Sequence, residues 1–169
     1  DNGCGMSPGD ARMCFERHAT SKIQNIDDLF KVRTHGFRGE ALASIAAVAQ
    51  VELRTRRQND DIGTLIRIEG GKFVKQEPCM CAPGTSVAVS NLFFNVPARR
   101  NFLKSNPVET RHIQQAFFQM ALANTHLRLE LSHNNANVYD LHASDLANRV
   151  SKLYEHIAAD TLIPVQEEE

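Results

Sequence analysis

The run Thr85-Ser86-Val87-Ala88-Val89-Ser90 sets the tightest limit on the fold. Thr85, Val87 and Val89 alternate strictly with the smaller Ser86, Ala88 and Ser90, and a period of two belongs to a strand with one buried face. Val51, Leu53 and Thr55 repeat the pattern, and Thr64 to Glu69 reads as a further strand carrying Leu65, Ile66 and Ile68. Gly70-Gly71 then turns the chain into Lys72 to Glu77, which predicts a hairpin. Ala82-Pro83-Gly84 supplies the next turn, directly ahead of the alternating run.

Helical signals surround these strands. Ser7 before Pro8 is an N-cap followed by proline at the first helical position, and Ala11, Met13, Cys14 and Phe15 continue it to about Arg17. Ala41, Leu42, Ile45, Ala46 and Ala49 lie at three-to-four spacing after Gly39. Asn106-Pro107-Val108-Glu109 predicts a helix start with Asn106 as cap and Glu109 at the third position, its buried side being Ile113, Phe117, Met120 and Ala121. Leu127, Leu129 and Leu131, turned at Asn134-Asn135 into Val138 and Tyr139, predict a second hairpin. A last helix is expected from Asp145 to Ala158 with the stripe Leu146, Val150, Leu153 and Ile157. Residues 18–38 carry few large apolar groups and read as a long loop, with one helical turn at Asp27 to Phe30 capped by Asn25. Strands grouped with helices in this order predict an α/β (α+β) two-layer sandwich, a mixed and largely antiparallel sheet covered on one face.

Composition narrows the function classes. A chain of 169 residues with 42% apolar and 23% charged content is expected to form one domain with its own core. The formal net charge of -1 argues against a general nucleic-acid-coating surface and leaves room for a local basic patch. Arg99, Arg100 and Lys104, with Arg111, make such a group, for which a solvated face is the competing reading. The four cysteines at 4, 14, 79 and 81 include only a C-x-C pair, which is no zinc spacing and fits reduced thiols in an intracellular, cytoplasmic protein. No apolar stretch is long enough to span a membrane and no signal peptide is visible. The opening on Asp1 without a Met, and the close on Glu167-Glu168-Glu169 after a short apolar run, are expected of a segment of a longer polypeptide.

Chemistry concentrates in two places. Asp1-Asn2-Gly3-Cys4-Gly5 sets a carboxylate at the mouth of a glycine-bearing turn. A carboxylate only accepts, which suits the exocyclic amine of adenine, and it equally suits the backbone of its own turn. The second place is Arg17-His18-Ala19-Thr20-Ser21-Lys22 together with Gly36-Phe37-Arg38-Gly39-Glu40. Gly36 and Gly39 frame a turn that opens a helix, where backbone N–H groups receive phosphate oxygens. Thr20, Ser21 and Lys22 add hydroxyls and a cation, and Arg38 has two open roles, an anion ligand or a surface partner of Glu40 or Glu16. The order of a Walker A loop is absent. His18 and His35 border the loop without a second ligand at metal spacing or a partner to activate them.

These segments, with Leu92-Phe93-Phe94-Asn95-Val96-Pro97-Ala98-Arg99-Arg100, closely resemble the MutL family of DNA mismatch repair ATPases, and the four motifs keep the family's order over nearly the whole chain. That family belongs to the GHKL superfamily with DNA gyrase B, the Hsp90 chaperones and histidine kinases. The resemblance implies a Bergerat-type ATPase fold, with residues 1–158 a partial ATPase domain, its ATP lid at about 17–39, and residues 159–169 the start of a linker or transducer domain. It implies that Asp1 reads the adenine amine in a pocket shaped by Gly3, Gly5 and Met6, and that Thr85 helps hold Asp1 and a water against the ring. Thr20, Ser21 and Lys22, and Gly36, Phe37, Arg38 and Gly39, are similar to the lid and phosphate-binding segment. His35 stands where the family commonly has Leu. The family's catalytic Glu and Mg²⁺-binding Asn come from a helix expected upstream of residue 1, so no catalytic or metal residue is assigned. The parent is expected to bind ATP with Mg²⁺ and hydrolyse it slowly, to dimerise, and to work with the mismatch recognition protein MutS and, weakly and mostly non-specifically, with DNA. The segment alone is expected to be inactive and to hold no nucleotide firmly. A related topoisomerase or chaperone ATPase, or a non-catalytic interaction fragment, are the alternatives.

Overall fold

The computed structural model describes residues 1–19, 36, 38–163 and 165. The expected helical turn at Asp27 to Phe30, together with Thr20, Ser21, Lys22, His35 and Phe37, lies outside the described residues. The described chain divides into two compact units, Asp1–Phe102 and Leu103–Glu169.

The first unit is built on four strands, β1 (Gln50–Arg56), β2 (Gly63–Glu69), β3 (Lys72–Cys79) and β4 (Gly84–Ser90), in the order β3-β2-β1-β4. Every pairing is antiparallel. Alternation divides the faces: Val51, Leu53 and Thr55 of β1 stand beside Ile68, Ile66 and Thr64 of β2 on the inner face, and all six are buried. On the opposite face Glu52 is paired by Arg54 and Arg67, and Lys75 by Glu77.

Helix α1 (Pro8–Met13) forms because Ser7 is extended and its Oγ accepts the Asp10 N–H at 3.2 Å, with proline in the first turn. It lays Ala11 on the inner face, with Met6, Cys14 and Phe15 packed around the same cluster. Outside that contact, the Arg12 guanidinium covers the Phe73 ring at 4.3 Å, and Gln76 Nε2 donates to the Pro8 carbonyl at 3.0 Å. Helix α2 (Ala41–Ala46) buries Ala43 and Ala46. The segment that follows it is fastened by chain brought back from the sheet: Gly71 N–H donates to Ala46 O at 2.8 Å, Gly70 N–H to Ala49 O at 3.0 Å and Phe93 N–H to Val48 O at 2.7 Å. A short helix α3 (Pro97–Arg100) closes the unit.

In the second unit, α4 (Asn106–Ala123) and α5 (Leu146–Leu153) accompany the hairpin β5 (Leu129–His133) and β6 (Ala136–Leu141). Asn134 and Asn135, both at positive φ, make the hairpin turn. Ala121, Leu141 and Leu153 form its core with Phe117, Phe118, Tyr139 and Tyr154. Arg149 is fully buried, and its Nη2 donates to the carbonyls of Thr125, Leu127 and His142 at 2.8, 2.8 and 3.0 Å.

Five expectations are corrected here. The alternating run forms β4, but Val87 and Val89 are 42% and 45% exposed, so its alternation marks no buried face. Helix α1 ends at Met13, not near Arg17. Asn106 is the first helical residue and Ser105 takes the cap position; Glu109 accepts the Lys104 N–H at 2.8 Å. Ile113 and Met120 are exposed, because the stripe that meets the core is Phe117, Phe118, Ala121 and Leu122. Met120 falls beside that stripe, and Ile113 lies a turn before it. The last helix ends at Leu153 rather than Ala158, since Tyr154 leaves helical geometry and sets its ring edge-on to Phe118 at 5.5 Å. A 3-10 turn at Ala159–Thr161 follows.

Candidate functional site

Two parts of the first unit bring together those sequence-predicted residues that the structure describes, and one buried hydroxyl organises the first part. In the β1–β4 ladder Thr55 stands opposite Thr85, and Arg56 opposite Gly84. Thr55 Oγ1 lies on the buried face and donates to the Gly84 carbonyl at 2.9 Å. A hydroxyl has one proton, so in its 3.0 Å contact with Thr85 Oγ1 it accepts, and Thr85 is the donor. It also accepts the Met6 N–H at 3.0 Å. The segment before α1 is thereby hung on the sheet beside the start of β4.

Asp1 completes this cluster. Its backbone pairs with Thr85 along the outer edge of β4, N to O at 2.8 Å and O to N at 3.3 Å. Its carboxylate Oδ1 accepts the Gly3 N–H at 2.9 Å, which is the local turn bond, and the Thr85 N–H at 3.2 Å, which reaches across 84 positions. Both bonds fall on Oδ1, and among the described residues Oδ2 accepts none. Asp1 therefore serves its own turn and is at the same time fixed on β4, with one carboxylate oxygen available.

Backbone contact explains two of the glycines. Gly5 has φ 67°, and a Cβ there would run into the Arg56 carbonyl. Gly84, at φ 115°, would carry a Cβ into the Asp1 carbonyl. The segment 1–6 and the strands beneath it approach as bare backbones, leaving no room for side chains between them.

The second part lies around Gly39. Gly39, also at positive φ, lies against the Ala19 backbone so closely that a Cβ would strike the Ala19 carbonyl. The two stretches that flank residues 20–35 meet at this point. Beside it Glu40 Oε1 pairs with His18 Nδ1 at 3.3 Å and Arg38 Nε at 3.2 Å. The Arg38 side chain is 76% exposed, so this pair adds little stability. Gly36 is exposed. Glu40 occupies the N-cap position of α2 without a side-chain cap bond, which leaves the first N–H groups of that helix to other partners.

Thr55 is the residue that sequence reasoning passed over. Alternation alone reads it as an ordinary inward strand position, yet a hydroxyl where Val51 and Leu53 predict an apolar group is itself a signal. Among the described residues no group of three or more His, Cys, Asp or Glu could hold a metal ion, and no helix is long and apolar enough to cross a membrane.

No family model matches the chain. It is 51% identical over 168 residues to the DNA mismatch repair protein MutL of Christiangramia forsetii, covering 99% of this chain and 27% of that protein. It is 53% identical over 154 residues to the protein of that name from Parabacteroides distasonis, covering 91% of this chain and 25% of the relative. The chain thus spans about a quarter of the length of these relatives. Among solved structures, the Aquifex aeolicus MutL ATPase domain complexed with ADP superposes with a TM-score of 0.70 at 29% identity, covering 92% of this chain and 55% of that one. A likeness that extends over nearly every residue, and a backbone that follows the Bergerat ATPase fold of the same group, agree: the chain belongs to the MutL family and corresponds to part of its ATPase domain.

Proposed function

We infer that this chain is the adenine-reading and lid-bearing part of a DNA mismatch repair ATPase. The observation that carries the reading is Asp1, pinned by Gly3 and Thr85 through one carboxylate oxygen while the other accepts nothing among the described residues. Such an oxygen suits an exocyclic amine, and the close backbone packing at Gly5 and Gly84 fixes the segment that carries it against the sheet. Met6 and Thr85 border the same place through Thr55. Lys22, Thr20, Ser21, Gly36, Phe37, Arg38 and Gly39 complete the reading as the phosphate side; of these, Arg38 and Gly39 directly precede the uncapped start of α2. The Aquifex relative, solved with ADP, supports nucleotide as the ligand.

On this proposal the parent binds ATP with Mg²⁺, hydrolyses it slowly and uses the bound state to order the lid and bring two copies together. It thereby couples mismatch recognition by MutS to later repair steps on DNA. The residues of this chain bind and orient the nucleotide; none is assigned to activating water, and the metal supplies charge neutralisation at the phosphates when bound. Assignment of residues 1–158 to the ATPase domain, with 159–169 leading into the next, belongs to the same proposal.

Asp1→Asn tests it in the full-length protein by titration calorimetry with ATP. A charge-assisted bond to an amine is worth about 1.5–3 kcal/mol, so affinity should fall roughly 10- to 150-fold while the thermal melt is unchanged. Unaltered affinity would overturn the assignment of Asp1.

A further inference from the structure

Gly63 leaves a side-chain position that the Cys81 thiol fills, next to Cys79 on the neighbouring strand. Cys79 is the cross-strand partner of Gly63 in the β2–β3 ladder, where facing Cβ positions are about 5 Å apart. Cys81 lies just past the end of β3, and its Sγ occupies the space that a Cβ on Gly63 would need. The two side chains are therefore neighbours beside Gly63 on one face of the hairpin. Arg56 holds the backbone that brings them together, its Nε donating to the Cys81 carbonyl at 2.7 Å. Both cysteines are half-buried, and Met80 between them is 83% exposed, so a small reagent reaches the pair. Cys14 differs: burial pushes its thiol up to about 11, and its Sγ donates to the Ala11 carbonyl. Such a thiol is inert.

We propose that Cys79 and Cys81 form a redox-active dithiol, a modification site that closes to a disulfide by exchange with a small-molecule disulfide of the glutathione type. In the first step one cysteine, as thiolate, attacks a sulfur of oxidised glutathione and expels one glutathione thiolate, which takes up the proton the cysteine lost. The second cysteine then attacks the protein sulfur of the mixed disulfide, expels the second glutathione thiolate and gives up its own proton to it. Two protein thiols are oxidised by two electrons, and one external disulfide is reduced to two thiols. A single residue between the cysteines makes a tight ring, and strained disulfides are readily reduced. The closed form therefore reopens with a dithiol reductant. Burial raises the Cys79 thiol above its ordinary value, so closure accelerates as the pH rises.

Trypsin separates the candidates, because no Lys or Arg lies between Lys75 and Arg99 and the remaining cysteines, Cys4 and Cys14, fall on other peptides. The folded chain is incubated with oxidised glutathione, alkylated, digested and weighed. The expected result is a peptide of residues 76–99 lighter by two hydrogens, with both alkylation sites lost together and both recovered after dithiothreitol. Cys79→Ser and Cys81→Ser should each leave the other thiol as a lasting glutathione adduct. The proposal is overturned if the unsubstituted peptide keeps two alkylatable thiols. It is equally overturned if that peptide accumulates glutathione without closing, or if it is linked to Cys4, Cys14 or a second copy.

Discussion

Thr55 uses every bonding capacity of a hydroxyl, donating once to Gly84 and accepting from Met6 and Thr85. Replacement by valine keeps the shape and removes all three bonds, leaving the Met6 N–H and the Gly84 carbonyl without this partner. Thr55→Val should therefore lower unfolding stability by about 1–3 kcal/mol, whereas Thr55→Ser should stay close to the unchanged protein. Urea denaturation of the three proteins checks this, and a valine variant as stable as the serine one would contradict the role given to the hydroxyl. The residue scale is also where sequence reading was weakest. Asp1 and Gly5 stand out through their own motif, but Gly84 reads locally as a turn residue ahead of a strand. Its contact with Asp1 crosses 83 positions of chain, and no local pattern encodes such a meeting. Burial was misjudged for a related reason: Leu146 and Ile113 have helical spacing, and both are 57% exposed. Spacing says which residues share a face, not whether anything covers it.

At the scale of elements the sequence was more informative. All four strands of the first sheet and the second hairpin were legible, because alternation and the Gly70-Gly71 and Asn134-Asn135 turns act within a few residues. The starts of α1, α4 and α5 were legible to within a residue for the same reason, whereas the short α3 was not read as a helix and the end of α5 depended on Tyr154 finding Phe118 across the unit. Short helices depend most on their ends. Helix α1 has six residues, below the length at which helices persist alone, and Ser7 both accepts from Asp10 N–H and donates to its carboxylate at 2.6 Å. Ser7→Ala should cost about 1 kcal/mol and raise hydrogen exchange first at the α1 amides. Exchange unchanged at Ala11 and Cys14 would mean that packing, not the cap, holds the helix.

For the molecule as a whole, hydrogen-bonded carboxylates link stability to pH in both units. Hydrogen bonds from Arg67 and then Arg54 hold the Glu52 carboxyl below its ordinary value, and Arg57 does the same for Asp60. In the second unit Arg128 lowers Asp140, and the Asn148 N–H lowers Asp145. A carboxyl lowered by folding contributes above its unfolded pKa, and the contribution disappears as pH falls through the folded value. Thermal stability should therefore decline from about pH 4 downward, and more gently in high salt, which screens exposed pairs. Melting temperatures that stay flat through that range would count against these pairs. The bare-backbone contacts have a different reach, into heredity. Gly5, Gly39 and Gly84 stand where a single added carbon meets a neighbouring carbonyl. Every missense change in a glycine codon installs at least that carbon. At these three codons point mutation has no conservative outcome, so in a saturation library selected for folded protein they should be almost empty of survivors.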